Sequence, residues 1–254
     1  MKDTIQLGIH HLPYHAVCDQ TLLRQKIYPD MYKNYYWSDD FSAKYYIAQA
    51  KAGFIAVTDF FEEKELLLPE IQFSYALLDF KDLHISKKVQ KLFRQKPLKL
   101  HISQNPDAVV QAISKIHKNN WLSPRYFRML KQTRGADDNF QLISAYIEEE
   151  GKLVAGETGY IIGKTYTSLS GCSRREKRYN HYGTAQLVLL GQYLQRKGFA
   201  FWNLGQPYMD YKLALGAKIY ERSSFLERWF EATKGPSSCT IHEASTSSFV
   251  PEKT

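Results

Sequence analysis

The feature that most constrains the fold is a run of three β-rich segments in the second half of the chain. They cover residues 140–148, 152–162 and 164–170, and the turns between them are Glu149-Glu150-Gly151 and Ile162-Gly163-Lys164. Apolar segments of this length, separated by short turns that contain glycine, are typical of neighbouring antiparallel strands. The sequence therefore predicts an antiparallel meander.

A helix and a further strand are predicted directly after the meander. Apolar residues share one face of a helix over residues 184–197, and residues 199–204 form a strand that leaves it. This order of elements is that of a GNAT-type acyltransferase core. We therefore predict an α+β fold with a small N-terminal α/β lobe (residues 1–82), a GNAT-like domain (83–232) and a Ser/Thr-rich, disordered tail (233–254).

The turn that opens this helix is a candidate anion site. Residues 180–185, Asn-His-Tyr-Gly-Thr-Ala, place backbone N–H groups at a helix N-terminus. Such groups can hold a phosphate, but the same residues also fit an ordinary helix start. Both interpretations stay open at the level of the sequence.

The charge of the chain points to a polyanionic partner. The formal net charge is +8, and the sequence pI is about 9.2. The basic residues are interleaved with polar and aromatic ones instead of lying on an amphipathic helix, which favours nucleic acid over a membrane surface. Many basic enzymes bind no nucleic acid, so charge alone does not decide the partner.

The remaining composition favours a cytoplasmic protein that makes no membrane contact. The three cysteines are odd in number and far apart, which suits a reducing compartment better than a disulfide framework. The chain contains no stretch of about 18 uninterrupted apolar residues, so no membrane span is predicted. The first residues lack the apolar run of a secretory signal. A metal site is not expected, because His10, His11 and His15 have no cysteine or acidic partner at a familiar ligand spacing.

Six short motifs follow one another along the chain. They are Asp40-Phe41-Ser42 with residues 47–55, Leu83-His84-Ile85-Ser86, Asn120-Trp121-Leu122-Ser123-Pro124, residues 153–156, residues 170–174 and residues 215–219. Over about residues 36–229 they resemble, in the same order, the motifs of the leucyl/phenylalanyl-tRNA–protein transferase family.

This resemblance implies a reaction as well as a fold. It implies a small N-terminal lobe packed on a GNAT-like domain, and transfer of Leu or Phe from aminoacyl-tRNA to the N-terminal Arg or Lys of a protein, which creates a degradation signal. No metal or coenzyme is implied, because the donor ester is already activated. The acceptor is an α-amine with a pKa of roughly 8, so the site must position two substrates, accept a proton and stabilise an oxyanion.

The chain departs from the family at the expected reaction centre. The glutamate of a Gly-Glu-Ser stretch in the family aligns with Leu169, and the aspartate of its reaction centre aligns with Asn203. The family segment that carries this aspartate also carries a glutamine. It is one residue longer in this chain, and Gln206 is the nearest glutamine. An amide can donate a hydrogen bond to an oxyanion but cannot act as a base. Pro69 and Glu70 replace a tryptophan pair of the family.

A carboxylate on a neighbouring strand offers a compensation. The bulky positions of the family's side-chain pocket become Glu157, Gly171 and Trp202. A three-residue turn at 162–164 would pair Glu157 with Leu169, with their Cβ atoms about 5 Å apart on one face. A two-residue turn would place Leu169 on the other face.

These considerations predict three groups of site residues. The residues expected to polarise the ester and hold the oxyanion are Asn203, Gln206 and Ser170, and Glu157 is expected to bind the cationic acceptor or take its proton. Other contacts with the substrates are expected from Trp121, Gly171, Trp202 and Leu169. The tRNA is expected to contact the basic helix through Lys87, Lys88, Lys91 and Arg94.

Less specific interpretations fit some of the same residues. Ordinary packing explains Trp121, and a solvated helix face explains the basic residues. The chain as a whole also fits an acyltransferase of the same fold that uses acyl-CoA, with the 180–185 turn holding its pyrophosphate. A third interpretation is that the chain is a relative that binds tRNA but does not catalyse transfer.

Overall fold

The computed structural model describes residues 8–117, 121–235 and 247–249. Within them the strands are β1 (His10–His11), β2 (Tyr36–Trp37), β3 (Ile55–Phe61), β4 (Lys64–Glu70), β5 (Ser74–Leu78), β6 (Leu100–Ser103), β7 (Phe140–Glu149), β8 (Lys152–Ile162), β9 (Thr165–Ser173), β10 (Phe201–Asn203), β11 (Lys218–Glu221) and β12 (Ser247–Phe249). The α-helices are α1 (Tyr14–Cys18), α2 (Gln20–Leu22), α3 (Ala43–Lys51), α4 (Lys87–Gln95), α5 (Asp107–Ile116), α6 (Pro124–Gln132), α7 (Tyr182–Arg196), α8 (Asp210–Ala214) and α9 (Arg222–Thr233).

One large sheet organises the described residues. Its eight strands lie in the order β11-β5-β10-β9-β8-β7-β6-β12, and neighbours are antiparallel except β9 and β10, which are parallel. A parallel pair needs a crossover connection, which α7 supplies. The predicted meander, helix and following strand are thus confirmed, as are the α+β class and the GNAT-like order of elements.

Helices cover the sheet on both faces, and successive residues of a strand point to opposite sides. On β8, Tyr160 and Ile162 enter a core formed with α1, α3, α6 and α9, whereas Ile161 enters a core formed with α4 and α7. Polar groups on the middle strands can therefore reach solvent only where strands end or separate.

The N-terminal part contains a capped helix and a tight hairpin turn. The Ser42 hydroxyl accepts a hydrogen bond from the N–H of Tyr45 at 3.1 Å and so caps α3. β3 and β4 are joined by Glu62 and Glu63, which have φ of 46° and 63°. Two consecutive positive φ values give the type I′ turn that suits a two-residue hairpin.

A buried arginine connects distant parts of the chain. Arg222, the first residue of α9, is 1% exposed and donates hydrogen bonds to main-chain carbonyls of two separate segments. These carbonyls belong to Ile27, Tyr28, Asp30 and Lys33 near the N-terminus and to Ile71 and Gln72 after β4. Because its donors are satisfied, the guanidinium is tolerated away from water.

The division into a lobe at residues 1–82, a domain at 83–232 and a tail at 233–254 stays a prediction. β5 precedes residue 82 but pairs with β10 and β11 in the large sheet, so strand pairing groups it with the larger domain. Most of the predicted tail lies outside the described residues, and β12 within it pairs with β6. No helix in the described ranges is long and apolar enough to cross a membrane.

Candidate active site

An opening in the large sheet lies where β9 and β10 separate. The two strands pair over three residues only, from Phe201 opposite Thr165 to Asn203 opposite Thr167. After Asn203 the chain turns towards β5, where the N–H of Leu204 and the carbonyl of Gly205 bond to Ala76. β9 continues to Ser173. Such a gap at the carboxyl ends of parallel strands is a common place for a ligand.

The turn between β8 and β9 corrects the predicted register. Ile162 pairs with Thr165, so the turn has two residues, and the predicted three-residue turn is wrong. Gly163 has a φ of +55°, which suits the first position of a type II′ turn. The end of α9 packs on this turn, since the N–H of Lys164 donates to the Ala232 carbonyl at 2.9 Å. A Cβ on Gly163 would lie 2.6 Å from the Ala232 carbonyl oxygen, so the turn packs closely against α9.

A bulge then sets the partners of the site residues. The register shifts between Thr158 and Gly159 on β8, and Leu169 is the extra residue on β9. Glu157 pairs with Gly171, not with Leu169 as predicted. Leu169 is half-buried and packs against the core that contains Tyr160, on the opposite face of the sheet.

Glu157 lies beside the opening and is 5% exposed. Its Oε1 accepts hydrogen bonds from the hydroxyl groups of Tyr166, at 2.7 Å, and Ser168, at 3.0 Å. The indole N–H of Trp202 donates to the Ser168 hydroxyl at 2.8 Å, which fixes its orientation. Ser168 is half-exposed, so it connects the buried carboxylate to the opening.

The surroundings of Glu157 make it a group that titrates near neutral pH. Burial raises the pKa of Glu157 to about 7, while the two hydroxyl donors and the charge of Lys212 hold that pKa down. Burial also raises the pKa of Tyr211, to about 12, with the charge of Glu157 adding to the effect. A carboxyl group with a pKa near the working pH can both accept and return a proton.

Lys212 is a second buried ionisable group at this place and was not predicted from the sequence. Its ammonium donates hydrogen bonds to the carbonyls of Leu204, at 2.5 Å, and Gln206, at 2.6 Å. Burial lowers the pKa of Lys212 to about 8, and the charge of Glu157 opposes this shift. In a chain with 34 basic residues, no local pattern distinguishes this lysine.

Asn203 and Gln206, both predicted at the reaction centre, shape the loop after β10. The Asn203 side chain accepts from the N–H of Gly205 at 2.9 Å and donates to the Thr167 hydroxyl at 3.5 Å. Gln206 Nε2 donates to Glu70 Oε2 at 2.8 Å and to the Tyr35 hydroxyl at 3.2 Å. Gln206 therefore faces the N-terminal part of the chain rather than Glu157.

Comparison with known proteins decides the family. The family model described as leucyl/phenylalanyl-tRNA protein transferase matches residues 77–229. The chain belongs to the leucyl/phenylalanyl-tRNA protein transferase family. The leucyl/phenylalanyl-tRNA–protein transferase of Pseudomonas fluorescens (strain Pf0-1) is 28% identical over 159 residues, which are 58% of this chain and 62% of that protein. The chain thus spans 62% of the length of this curated relative.

The likeness to solved structures is distant. FemX is 9% identical with a TM-score of 0.47, over 87% of this chain and 81% of FemX. L-PGS from Bacillus licheniformis is 11% identical with a TM-score of 0.40, over 79% of this chain and 72% of that chain. A fungal GCN5-related glucosamine N-acetyltransferase region is 15% identical with a TM-score of 0.40, over 72% of this chain and 22% of that chain.

The other predicted substrate contacts of this transferase family member differ in accessibility. Trp202 is fully buried, so its contribution is the hydrogen bond from its indole N–H that orients the Ser168 hydroxyl. Ser170 is half-exposed and Gly171 is exposed, both on the part of β9 beyond its pairing with β10. A Cβ on Gly171 would lie 3.1 Å from the Cβ of Glu157, which explains why a small residue stands opposite the carboxylate.

The predicted tRNA contacts lie apart from Glu157 in the chain and on other elements. Trp121 is half-buried, its ring meets that of Tyr126 edge to face at 5.0 Å, and its carbonyl accepts from the Thr58 hydroxyl. The edge-to-face ring contact is that of a packed indole. The basic side chains of α4 are exposed, and none forms an ion pair with a described residue; they are Lys87, Lys88, Lys91 and Arg94.

Proposed function

We propose that this protein transfers an aminoacyl group, Leu, Phe or a similar residue, from aminoacyl-tRNA to the N-terminal Arg or Lys of a protein. The product would carry a degradation signal, and the reaction would take place in the cytoplasm. The observation on which the proposal depends is the buried carboxyl group of Glu157, with its pKa of about 7, beside the opening between β9 and β10. The family match over residues 77–229 supports the choice of substrates.

The reaction needs a proton acceptor and no external oxidant or reductant. The acceptor's α-amine nitrogen attacks the ester carbonyl carbon of the aminoacyl-tRNA. A C–N bond forms, and the C–O bond to the terminal ribose breaks. The proton that the amine loses passes to ionised Glu157, and Glu157 returns it to the departing ribose oxygen. The products are an amide and a free tRNA hydroxyl.

The residues around Glu157 divide the remaining tasks. Ser168 links the carboxylate to the opening through its hydrogen bond at 3.0 Å. Ser170 pairs with Thr158, so it lies on the face of the sheet opposite Glu157. It is proposed to reach the oxyanion through the opening, because its half-exposed hydroxyl lies on the part of β9 beyond its pairing with β10. Asn203 and Gln206 are proposed to act through the loop that they hold, since their hydrogen-bonding groups are already engaged there.

The positive charge of α4 supports a tRNA partner. Unpaired surface cations attract the phosphates of nucleic acid, and such binding weakens as salt concentration rises. Trp121 is proposed to border the tRNA end with its half-exposed edge. The protein acceptor is proposed to approach Glu157 with its cationic N-terminal residue.

The experiment that tests the proposal is transfer of labelled Leu, Phe and Met from charged tRNA to peptides that begin with Arg or Lys. A peptide that begins with Glu is the acceptor control. We expect transfer to the basic peptides, its loss in Glu157→Gln, and its retention in Glu148→Gln, which changes an exposed carboxylate on β7. Intact tRNA binding without transfer of any of the three amino acids would refute this choice of reaction.

A further inference from the structure

The short helix α8 reverses the usual burial of its side chains. Tyr211 is 47% exposed and Leu213 is 44% exposed, whereas Lys212 between them is 6% exposed. Lysine is among the residues least often buried, and a buried ammonium is costly unless it is fully hydrogen-bonded. A burial pattern this unfavourable calls for a specific role of the lysine.

The contacts of Lys212 explain how the charge is tolerated. Its Nζ donates to the carbonyls of Leu204 and Gln206 at 2.5 and 2.6 Å. Gly205, between these two residues, has a φ of +73°, so the loop is a tight turn that presents both carbonyls to one point. An ammonium has three N–H donors, and these two carbonyls use two of them.

The charge of Lys212 also acts on Glu157. The groups that interact with the Glu157 carboxylate are the hydroxyls of Tyr166 and Ser168 on β9 and the ammonium of Lys212 on α8. Tyr211, also on α8, interacts with it as well. Helices α5 and α7 pack on β8 too, but no described residue of either contributes a charge to the pKa of Glu157. Among the described residues, Lys212 is therefore the cation whose charge holds the pKa of Glu157 down.

We propose that Lys212 is a positioning residue for the transfer reaction: its ammonium holds the loop of residues 204–206 beside the opening and stabilises the ionised carboxylate of Glu157. This inference rests on the proposed function, because it assigns Glu157 the part of proton acceptor. It adds that the proton acceptor, Glu157, is kept ionised by Lys212 on α8, a helix that no sequence motif marks.

A pH profile separates this role from a purely structural one. Ionised Glu157 is the active form, so transfer should fall on the acidic side as Glu157 becomes protonated. Removal of the neighbouring positive charge raises the pKa of a carboxyl group. We therefore expect Lys212→Met to move the acidic limb of kcat/KM to higher pH, and Lys212→Arg to leave it in place. Lys152→Met, at an exposed lysine on β8, is the matched control.

A direct titration tests the same inference without catalysis. The Glu157 carboxyl carbon can be followed by carbon-13 NMR and assigned by its absence in Glu157→Gln. We expect its pKa to be higher in Lys212→Met than in the wild type. Since this readout needs no aminoacyl-tRNA, failure of the transfer assay would count against the proposed function and leave this test intact.

A reciprocal measurement covers the case in which Lys212→Met does not fold. Interaction between two ionisable groups acts equally on both, so Glu157→Gln should lower the pKa of Lys212, measured on its ε-carbon. An acidic limb that stays in place in Lys212→Met while the rate falls equally at every pH would overturn the inference. So would an unchanged Lys212 pKa in Glu157→Gln.

Discussion

Two buried carboxylates of this chain, Glu157 and Glu70, have surroundings that differ in kind. Glu157 accepts from the hydroxyls of Tyr166 and Ser168, and the charge of Lys212 holds its pKa down. Glu70 accepts from three amide groups, Nδ2 of Asn34 at 2.9 Å, Nε2 of Gln206 at 2.8 Å and Nε2 of Gln72 at 3.5 Å, and from the Tyr35 hydroxyl. Burial raises the pKa of both carboxyls, and hydrogen bonds hold both down.

The difference lies in the neighbouring cation and in access to the opening. The charge of Lys212 and the half-exposed Ser168 hydroxyl act on Glu157, whereas three of the donors to Glu70 are amides, which give up no proton near neutral pH. We infer that Glu70 joins the N-terminal segment to the loop of Gln206, whereas Glu157 acts as the proposed proton acceptor. Burial alone therefore does not distinguish the two carboxylates, but their neighbours do.

The largest expected effect is that of Glu157→Gln on transfer. Loss of a general base typically lowers the rate by about 10²- to 10⁴-fold, and glutamine keeps the shape of the side chain. The rate constant for single-turnover transfer to an Arg peptide measures the effect. The comparison between the carboxylates fails if Glu70→Gln lowers this rate constant as much as Glu157→Gln does.

The pH dependence of stability should come next in size. The pKa of Glu157 is about 7 in the folded state against an ordinary 4.5, so the folded state binds this proton more tightly than the unfolded state. Its stabilising contribution is present below about pH 4.5 and is lost as pH rises through 7. Between pH 4.5 and 8, the free energy of unfolding of Glu157→Gln, measured in urea, should increase relative to that of the wild type by up to about 3 kcal/mol. A difference that does not change with pH would contradict the raised pKa.

Glu70→Gln should mainly reduce stability. The new amide would place an NH₂ group against the donors of Asn34 or Gln206, and an unsatisfied buried donor costs about 1–3 kcal/mol. Urea unfolding at pH 7 measures this loss, and Glu63→Gln, in the exposed β3–β4 turn, is the control. A stability equal to that of the control would show that Glu70 does not join the two segments.

The smallest expected effect separates two serines of β9. Ser168→Ala removes a donor to Glu157, so the pKa of Glu157 should rise further, and a rise of about one unit would lower kcat/KM at pH 7 about fivefold. Ser170→Ala should lower kcat without moving the acidic limb, because Ser170 is proposed to contact the oxyanion alone. Equal pH profiles for the two variants would remove Ser168 from the path of the proton.

The sequence predicted the elements that depend on local pattern. The meander, α7 and β10 follow from residue periodicity. The register of β8 and β9 could not be predicted, because the packing of α9 on Gly163 and the bulge at Leu169 decide it. The predicted cross-strand partner of Glu157 was wrong for the same reason.

Among the site residues, Glu157 stays a predicted candidate, and the cross-strand partner predicted for it, Leu169, was wrong. Lys212 and Glu70 acquire their importance from contacts with residues far away in the chain, and no motif marks such contacts. The burial of Lys212 between exposed apolar neighbours even runs against the usual preference of lysine for the surface. Long-range burial, more than composition, therefore limits what the sequence reveals about this site.

The contacts of Arg222 bear on the order in which the molecule forms during translation. Its guanidinium donates to the Asp30 carbonyl 192 residues earlier in the chain. Ribosomes add roughly 5–20 residues per second, so the carbonyls of the N-terminal segment wait on the order of 10 to 40 s for this partner. Until α9 emerges, these carbonyls depend on water or on a chaperone for hydrogen bonds. This segment is thus synthesised well before the helix that completes its hydrogen bonds.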